Sequence, residues 1–383
     1  MTQKSVTHRR GPREGGPPKS GAPRGTAHKG PAAPPPLWEA EVIFGLEEFA
    51  EDELRERLGQ SVRLLGRTAP GRVAFAYVGA ERLLDTLRSV VAVHRVETFD
   101  VPRPKALLGH EHLMRLVVMI HNILARQAPG AFRTFRLSAA GSDSAVLQRL
   151  KGEIARHTGL APQEPGADLL LALRPTPRGT GWQVLARRTP RPLSARAWRV
   201  CSMPGALDAS IAVVMAGLAR PRPAERFLNL ACGSGTLLAE RLGLGPAACA
   251  LGVDIDPQAL ACARANLQAA GHLADAQLVL GDATELPLAA ASVHTIMTDL
   301  PWGFLVGSRR ENERLYPALL REATRVAAPG AALVAITASH AAFEDTLGRE
   351  RGSWRTDRVV EVQVPWERGY LRPRIYLLRR TGG

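Results

Sequence analysis

The stretch Phe227–Glu240, FLNLACGSGTLLAE, decides the fold. A short apolar run of strand character enters a turn holding Gly233 and Gly235, and an apolar helix leaves it. Glycine permits the positive φ such a turn needs. It also lets backbone N–H groups approach a ligand at the helix N-terminus. The alternation continues downstream, with strands predicted at Phe227–Leu230, Ala250–Val253, Gln277–Leu280, His294–Met297 and Ala332–Ile336. Helices are predicted between them at Thr236–Leu242, Pro257–Ala270 and Asn312–Ala327. This order predicts an α/β, doubly wound and mostly parallel sheet. The helix at Pro257 is the best marked, with Asp256 as N-cap, proline at its first position and Gly271 beyond its end. Val359–Val364 and Arg374–Arg380 read as a closing antiparallel hairpin.

Chemistry gathers at the carboxyl ends of these strands. Asp254 in GVDID closes the second strand, 19 residues after Gly235, where a carboxylate can accept both hydroxyls of a ribose. Asp256, two residues later, is explained by its capping role. Asp282 in LVLGDA ends the third strand, where it can bond an adenine amino group. Three such ends along one sheet edge specify an adenosine-containing cofactor. Its candidate contacts are Asn229, Cys232, Gly233, Gly235, Thr236, Asp254, Ile255, Asp282, Ala283 and Asp299.

TDLPWG, Thr298–Gly303, follows the fourth strand. The Asp299 carboxylate and the Leu300 carbonyl can both accept from one exocyclic NH2 and aim its lone pair at an electrophile. Pro301 fixes the turn, and Trp302 offers a face for stacking an extruded base. A nicotinamide oxidoreductase needs no such element, and Gly233-Ser-Gly235 continues as Thr-Leu-Leu rather than in G-x-G-x-x-G spacing.

Charge divides the 383-residue chain unevenly. The net +14 splits into +6 over residues 1–36, −2 over 37–120, +9 over 121–200 and +1 over 201–383. A neutral C-terminal half behind a basic middle points to a catalytic domain with a polyanion-binding module. Residues 1–36 are Pro, Gly and basic residues, too poor in apolar side chains to offset their ordering entropy, and are expected to be a disordered basic tail.

From Leu37 the pattern is β-α-β-β-α-β: strands at Glu39–Phe44, Val62–Leu65, Val73–Val78 and Val91–Thr98, with helices at Leu46–Leu58 and Ala80–Ser89. That order predicts a ferredoxin-like unit over 37–105. A helix at His112–Arg126, a strand at Thr134–Ser138, a helix at Ala145–His157 and a hairpin of Asp168–Arg174 with Trp182–Arg187 follow. Basic residues on the hairpin and its exit (Arg174, Arg178, Arg187, Arg188, Arg191) can line one face, with Arg133 and Arg136 on the neighbouring strand.

No apolar run approaches the ~18 residues of a membrane span, and no secretory h-region opens the chain. The four cysteines, Cys201, Cys232, Cys249 and Cys262, include no C-x-x-C pair. Neither a disulfide scaffold nor a zinc site is expected, and a reducing cytoplasm is the natural compartment.

The order NLACGSGT, GVDID, GDA, TDLPWG resembles class I S-adenosylmethionine-dependent amino-methyltransferases. GLEEFAEDEL (Gly45–Leu54), FRLSAAGSDS (Phe135–Ser144), RPLSARAWRVCSMPGALDASIA (Arg191–Ala212) and RLYPALLRE (Arg314–Glu322) resemble the THUMP-containing RNA methyltransferases. The resemblance implies a Rossmann-like methyltransferase domain over 191–383, preceded by ferredoxin-like (37–105) and THUMP (106–190) α+β domains. It implies S-adenosyl-L-methionine as cofactor, tRNA as partner, no metal, and N2-methylation of a guanosine in the acceptor stem at position 6. Asp299, Leu300, Pro301 and Trp302 would hold the guanine. Arg133, Arg136, Arg174, Arg187, Arg188, Arg191, Arg196 and Arg199 would contact RNA, and the linker residues Arg191, Ser194, Arg196 and Arg199 could instead cover the cofactor. The chain departs from the family at Leu230-Ala231, where an Asp-Pro pair is usual, and at Trp302, usually Tyr or Phe. Ribosomal RNA or DNA as substrate, a non-catalytic RNA-binding adaptor, and a small activating partner stay open on sequence alone.

Overall fold

The computed structural model describes residues 35–383 apart from 178, 304–307, 351, 368, 383 and the side chain of 309. The predicted tail therefore lies outside the described residues as far as position 34. Alternation along β1 (Leu37–Glu41) turns Trp38 and Ala40 into an apolar core, and Glu39 to the opposite face. α1 (Glu47–Leu58) packs Ala50, Leu54 and Leu58 beneath it. Then come β2 (Val62–Ala69), β3 (Arg72–Tyr77) and β4 (Ala92–Phe99). α2 (His110–Leu124), β5 (Thr134–Ser138), α3 (Ala145–Thr158), β6 (Ala161–Pro162), β7 (Leu169–Pro175) and β8 (Trp182–Arg187) complete this half.

The segment Ala80–Ser89 departs from expectation. Only Glu81–Thr86 coils, as a 3-10 turn, because Glu53 captures the chain beyond it. Its carboxylate accepts from the Arg88 and Ser89 backbone N–H groups, both at 2.8 Å, and from the Ser89 hydroxyl. The eight strands form one sheet in the order β2-β3-β1-β4-β8-β7-β5-β6. β4 and β8 pair antiparallel from His94–Arg187 to Phe99–Trp182, so hydrogen bonding runs unbroken from the first unit into the second.

A linker leads to α4 (Ala209–Leu218) and the second sheet: β9 (Arg226–Leu230), α5 (Thr236–Leu242), β10 (Cys249–Asp254), α6 (Pro257–Ala269) and β11 (Gln277–Leu280). β12 (Val293–Asp299), α7 (Arg309–Val326), β13 (Ala327–Thr337), α8 (His340–Arg349) and β14 (Trp354–Glu361) follow. A small ribbon, β15 (Val364–Trp366) with β16 (Gly369–Leu371), precedes β17 (Arg374–Arg380). The strand order is β11-β10-β9-β12-β13-β17-β14, parallel through β13 and antiparallel beyond it. The order reverses between β9 and β12. That switch point is where a doubly wound sheet opens a crevice at its carboxyl edge.

Two apolar clusters flank the second sheet. One, on the side of α7 and α8, is built from this half alone. The other joins α4, α5 and the sheet to Trp38, Phe75, Leu54 and their neighbours from the first unit. Residues 99–186 enclose a separate core.

The expectation about cysteines is overturned, since Cys201 and Cys262 form a disulfide with Cα atoms 5.4 Å apart. Asn266 on α6 explains how positions 61 apart meet. Its Oδ1 accepts from the Val200 and Cys201 N–H groups, and its Nδ2 donates to the Cys201 carbonyl.

Glu240 on α5, with no exposed surface, accepts from Arg88 of the first unit at 2.8 Å and from Arg196 of the linker at 2.9 Å. Removing a buried carboxylate strands its cationic partners. Glu240→Ala should therefore lower stability by about 3 kcal/mol or more, read from urea unfolding. A loss under about 1 kcal/mol would mean that the three segments hold together without it.

Candidate active site

The carboxyl ends of β9, β10, β11 and β12 build the site. Between β9 and α5 the chain turns sharply, with Ala231 at φ 48°, Gly233 at 54° and Gly235 at 77°. At Gly235 a Cβ would sit 3.0 Å from the Ala263 Cβ of α6, so only glycine lets this helix approach the turn. At Gly233 a Cβ would enter open space, leaving room directly against the turn. The Gly233 N–H donates to Asp254 Oδ2 at 2.7 Å, tying the turn to the end of β10. Asp254 Oδ1 accepts from the Asp256 N–H, and the Asp256 side chain caps α6 through the Gln258 N–H as predicted. Each Asp254 oxygen keeps lone-pair capacity for a ligand hydroxyl.

Burial, and next the Asp254 charge, push the Cys232 thiol up to about 12. It is an inert part of the turn. Leu230 is buried core, so the polar group at this strand end is Asn229, whose Nδ2 donates to the Met297 carbonyl across the switch point. Exposed Ile255 follows Asp254, and equally exposed Leu280 pairs with Asp254 across β10 and β11. Asp282, just beyond, accepts from the Thr284 hydroxyl and N–H, which hold its carboxyl below the usual range. Ala283 is half-buried beside it.

Asp299 ends β12 in a half-buried position, where desolvation raises its carboxyl to about 7. The Trp302 indole Nε1–H donates to Asp299 Oδ1 at 3.0 Å and pulls the other way. Donors from behind occupy the next carbonyls. Asn312 Nδ2 and the Tyr316 hydroxyl donate to Pro301, and the Ser339 hydroxyl donates to Trp302. Tyr316 also meets the Thr337 hydroxyl at 2.8 Å. Among the described residues, none donates to Asp299 Oδ2 or to the Leu300 carbonyl.

The predicted RNA-contacting arginines divide into two sets. Arg188 is 2% exposed and bound to Asp85 and Glu81, so its charge is spent inside the fold. Arg174 is paired with Glu39 and Gln183. Arg187 donates to the carbonyls of Asp168, Thr189 and Pro190. Arg196 serves Glu240 and the Arg88 carbonyl. Arg199 joins the Leu207 carbonyl to the Thr236 hydroxyl and so pins the linker to the glycine turn. These five are structural ties. Arg133 and Arg191 are exposed and Arg136 half-buried, while Arg178 lies outside the described residues. Half-buried Ser194 donates its N–H to the Val91 carbonyl.

Sequence reasoning missed the groups that support the turns. Asn312 gives no signal of its own, and Tyr316 stood within RLYPALLRE without a role. Asn266, which also donates to the Ser234 carbonyl, is an asparagine inside a helix, and that unfavourable placement was the available clue.

The RMKL-like methyltransferase domain family model matches residues 196–368. That stretch of the C-terminal half is similar to the family's methyltransferase domain. A mouse protein named tRNA (guanine(6)-N(2))-methyltransferase THUMP3 is 32% identical over 190 residues, 46% of this chain and 37% of its own length. The chain thus spans little more than a third of that relative. The Thermus thermophilus tRNA (guanine(6)-N2)-methyltransferase is 26% identical over 90% of this chain and all of its own. The crystal structure of TrmN from Thermus thermophilus superposes with a TM-score of 0.68 at 23% identity, covering 90% of this chain and 99% of that one. SMU.472, solved complexed with SAH, superposes at 0.64 with 15% identity over 90% and 98%. Both structures share the fold of the C-terminal domain and of the sheet before it.

At Gly235 of the C-terminal domain, a left-handed φ and a tight neighbour act together. Gly235→Ala should cost about 1–2 kcal/mol from the backbone alone, more with the Ala263 overlap. Thermal unfolding of the variant checks this.

Proposed function

We propose that this chain is an S-adenosyl-L-methionine-dependent tRNA methyltransferase that forms N2-methylguanosine, with guanosine 6 of the acceptor stem as its target. The observation that carries the reading is the pair of acceptors at the end of β12 to which none of the described residues donates. The protein's own donors occupy Asp299 Oδ1 and the carbonyls of Pro301 and Trp302. Asp299 Oδ2 and the Leu300 carbonyl belong to consecutive residues and are both acceptors, the complement of an exocyclic NH2 and a mismatch for a base carbonyl. The names of the mouse and Thermus relatives support guanine N2 and position 6.

The residues at the neighbouring strand ends fit the cofactor. The open space at Gly233 admits a ligand against the turn, the Asp254 carboxylate suits ribose hydroxyls, and exposed Ile255 and Leu280 suit the faces of an adenine. When bound, it supplies an electrophilic methyl group on a sulfonium. Asp299 and Leu300 draw on the two N2 protons and localise a lone pair otherwise delocalised into the ring. As the new N–C bond forms and the S–C bond breaks, Asp299 takes one N2 proton, and its raised pKa suits it to accept at neutral pH. Exposed Arg133 and Arg191, with Arg136, supply phosphate contacts that position the RNA without reading its bases. A tRNA substrate fits a cytoplasmic enzyme.

The test is methyl transfer from labelled S-adenosylmethionine to unmodified tRNA, followed by nucleoside mass spectrometry. N2-methylguanosine should form, and Asp299→Ala should reduce the rate by at least about 100-fold while cofactor affinity holds. Label entering only ribosomal RNA would overturn the tRNA assignment. The working form of Asp299 is ionised and its pKa is raised, so the rate should fall as pH drops through about 7 and level off above it. A rate that is flat from pH 6 to 9 would remove Asp299 as the acceptor.

A further inference from the structure

Trp302 stands three residues beyond Asp299, across the Pro301 bend. Its placement is imposed from behind. Asn312 and Tyr316 of α7 hold the Pro301 carbonyl, Ser339 at the start of α8 holds the Trp302 carbonyl, and the Leu300 N–H donates to Ile336 of β13. With the bend fixed on three sides, the indole edge meets the carboxylate at 3.0 Å. A phenylalanine or tyrosine would supply a ring for stacking, but no N–H at that edge.

We infer that Trp302 is a positioning residue for the transfer: its indole N–H engages Asp299 Oδ1 and thereby presents Oδ2 to the substrate amino group. This rests on the reading of Asp299 as the amine acceptor. An indole N–H donates only, so it bonds the charged carboxylate more strongly than the neutral acid. Burial alone would leave Asp299 more fully protonated near neutral pH, and the indole opposes that. Among the described residues, the Tyr316 phenol on α7 is a further titratable group in the field of Asp299. Its own pKa is raised, chiefly by burial, so it is neutral across the working range. Asn312, Ser339 and Thr337, polar side chains among the described residues around the bend, carry no charge.

The experiment compares the full-length protein with Trp302→Phe, and with Trp302→Tyr as a second variant that keeps a ring. The Asp299 carboxyl is titrated by carbon-13 NMR without substrate, its resonance assigned by Asp299→Asn. The methyl-transfer rate is measured from pH 6 to 9. Loss of a charge-assisted bond should raise the Asp299 midpoint by about one unit. The rate should drop about tenfold at pH 6.5 and recover most of that loss by pH 9, with cofactor affinity unchanged. An unmoved carboxyl midpoint in both variants overturns the inference, as does a rate loss equal at every pH. A shifted carboxyl in a protein whose wild type methylates no RNA supports the indole–carboxylate coupling and overturns the functional reading instead.

Discussion

The carboxylate of Glu240 binds Arg88 from the first unit and Arg196 from the linker, two cations that both precede it and lie far apart in the sequence. It lies on α5, the helix that begins at the glycine turn, so whatever holds Glu240 also holds the floor of the site. Arg199 and Asn266 repeat the arrangement on a smaller scale. One bonds Thr236 at the helix start, and the other bonds Ser234 within the turn. Three polar ties thus converge on a few residues of backbone. In a water-poor interior each is costly to leave half made, and this favours one arrangement of linker, helix and turn over its alternatives.

At the opposite side of the switch point the balance is reversed. Asp299 is kept from full solvation, no cation among the described residues pairs with it, and its bonding partner is a neutral indole. An arginine there would hold the carboxylate charged to well below neutral pH and could occupy both oxygens. Among the described residues the second oxygen receives no donor, because Asn312, Tyr316 and Ser339 are directed at backbone carbonyls.

The second sheet was legible because its strands are short, apolar and set off by glycine and aspartate, and turns of that kind have few conformations. The Pro257 helix and the strand-end aspartates stand where the pattern puts them. Arginine defeated the reading. Composition counts Arg174, Arg187, Arg188, Arg196 and Arg199 as surface charge, yet each reaches a carboxylate, a carbonyl or, for Arg199, a hydroxyl brought near by the fold. The collapse of the helix at Ala80–Ser89 has the same origin, a carboxylate on Glu53 that no local pattern reveals. Ion pairs and captured N–H groups depend on the finished fold. Hydrophobic periodicity is local, and so it can be read earlier.

The apolar cluster shared by Trp38, Phe75 and the α4–α5 face extends to Leu377. Residues 99–186, by contrast, enclose their own. On a chain made from its N-terminus, the middle segment can therefore close while synthesis is still under way. The cluster to which the first strands belong is complete only when the last strand has been made. The order of synthesis is thus not the order in which the parts become complete: strands made early wait in a core whose final members are still to be translated.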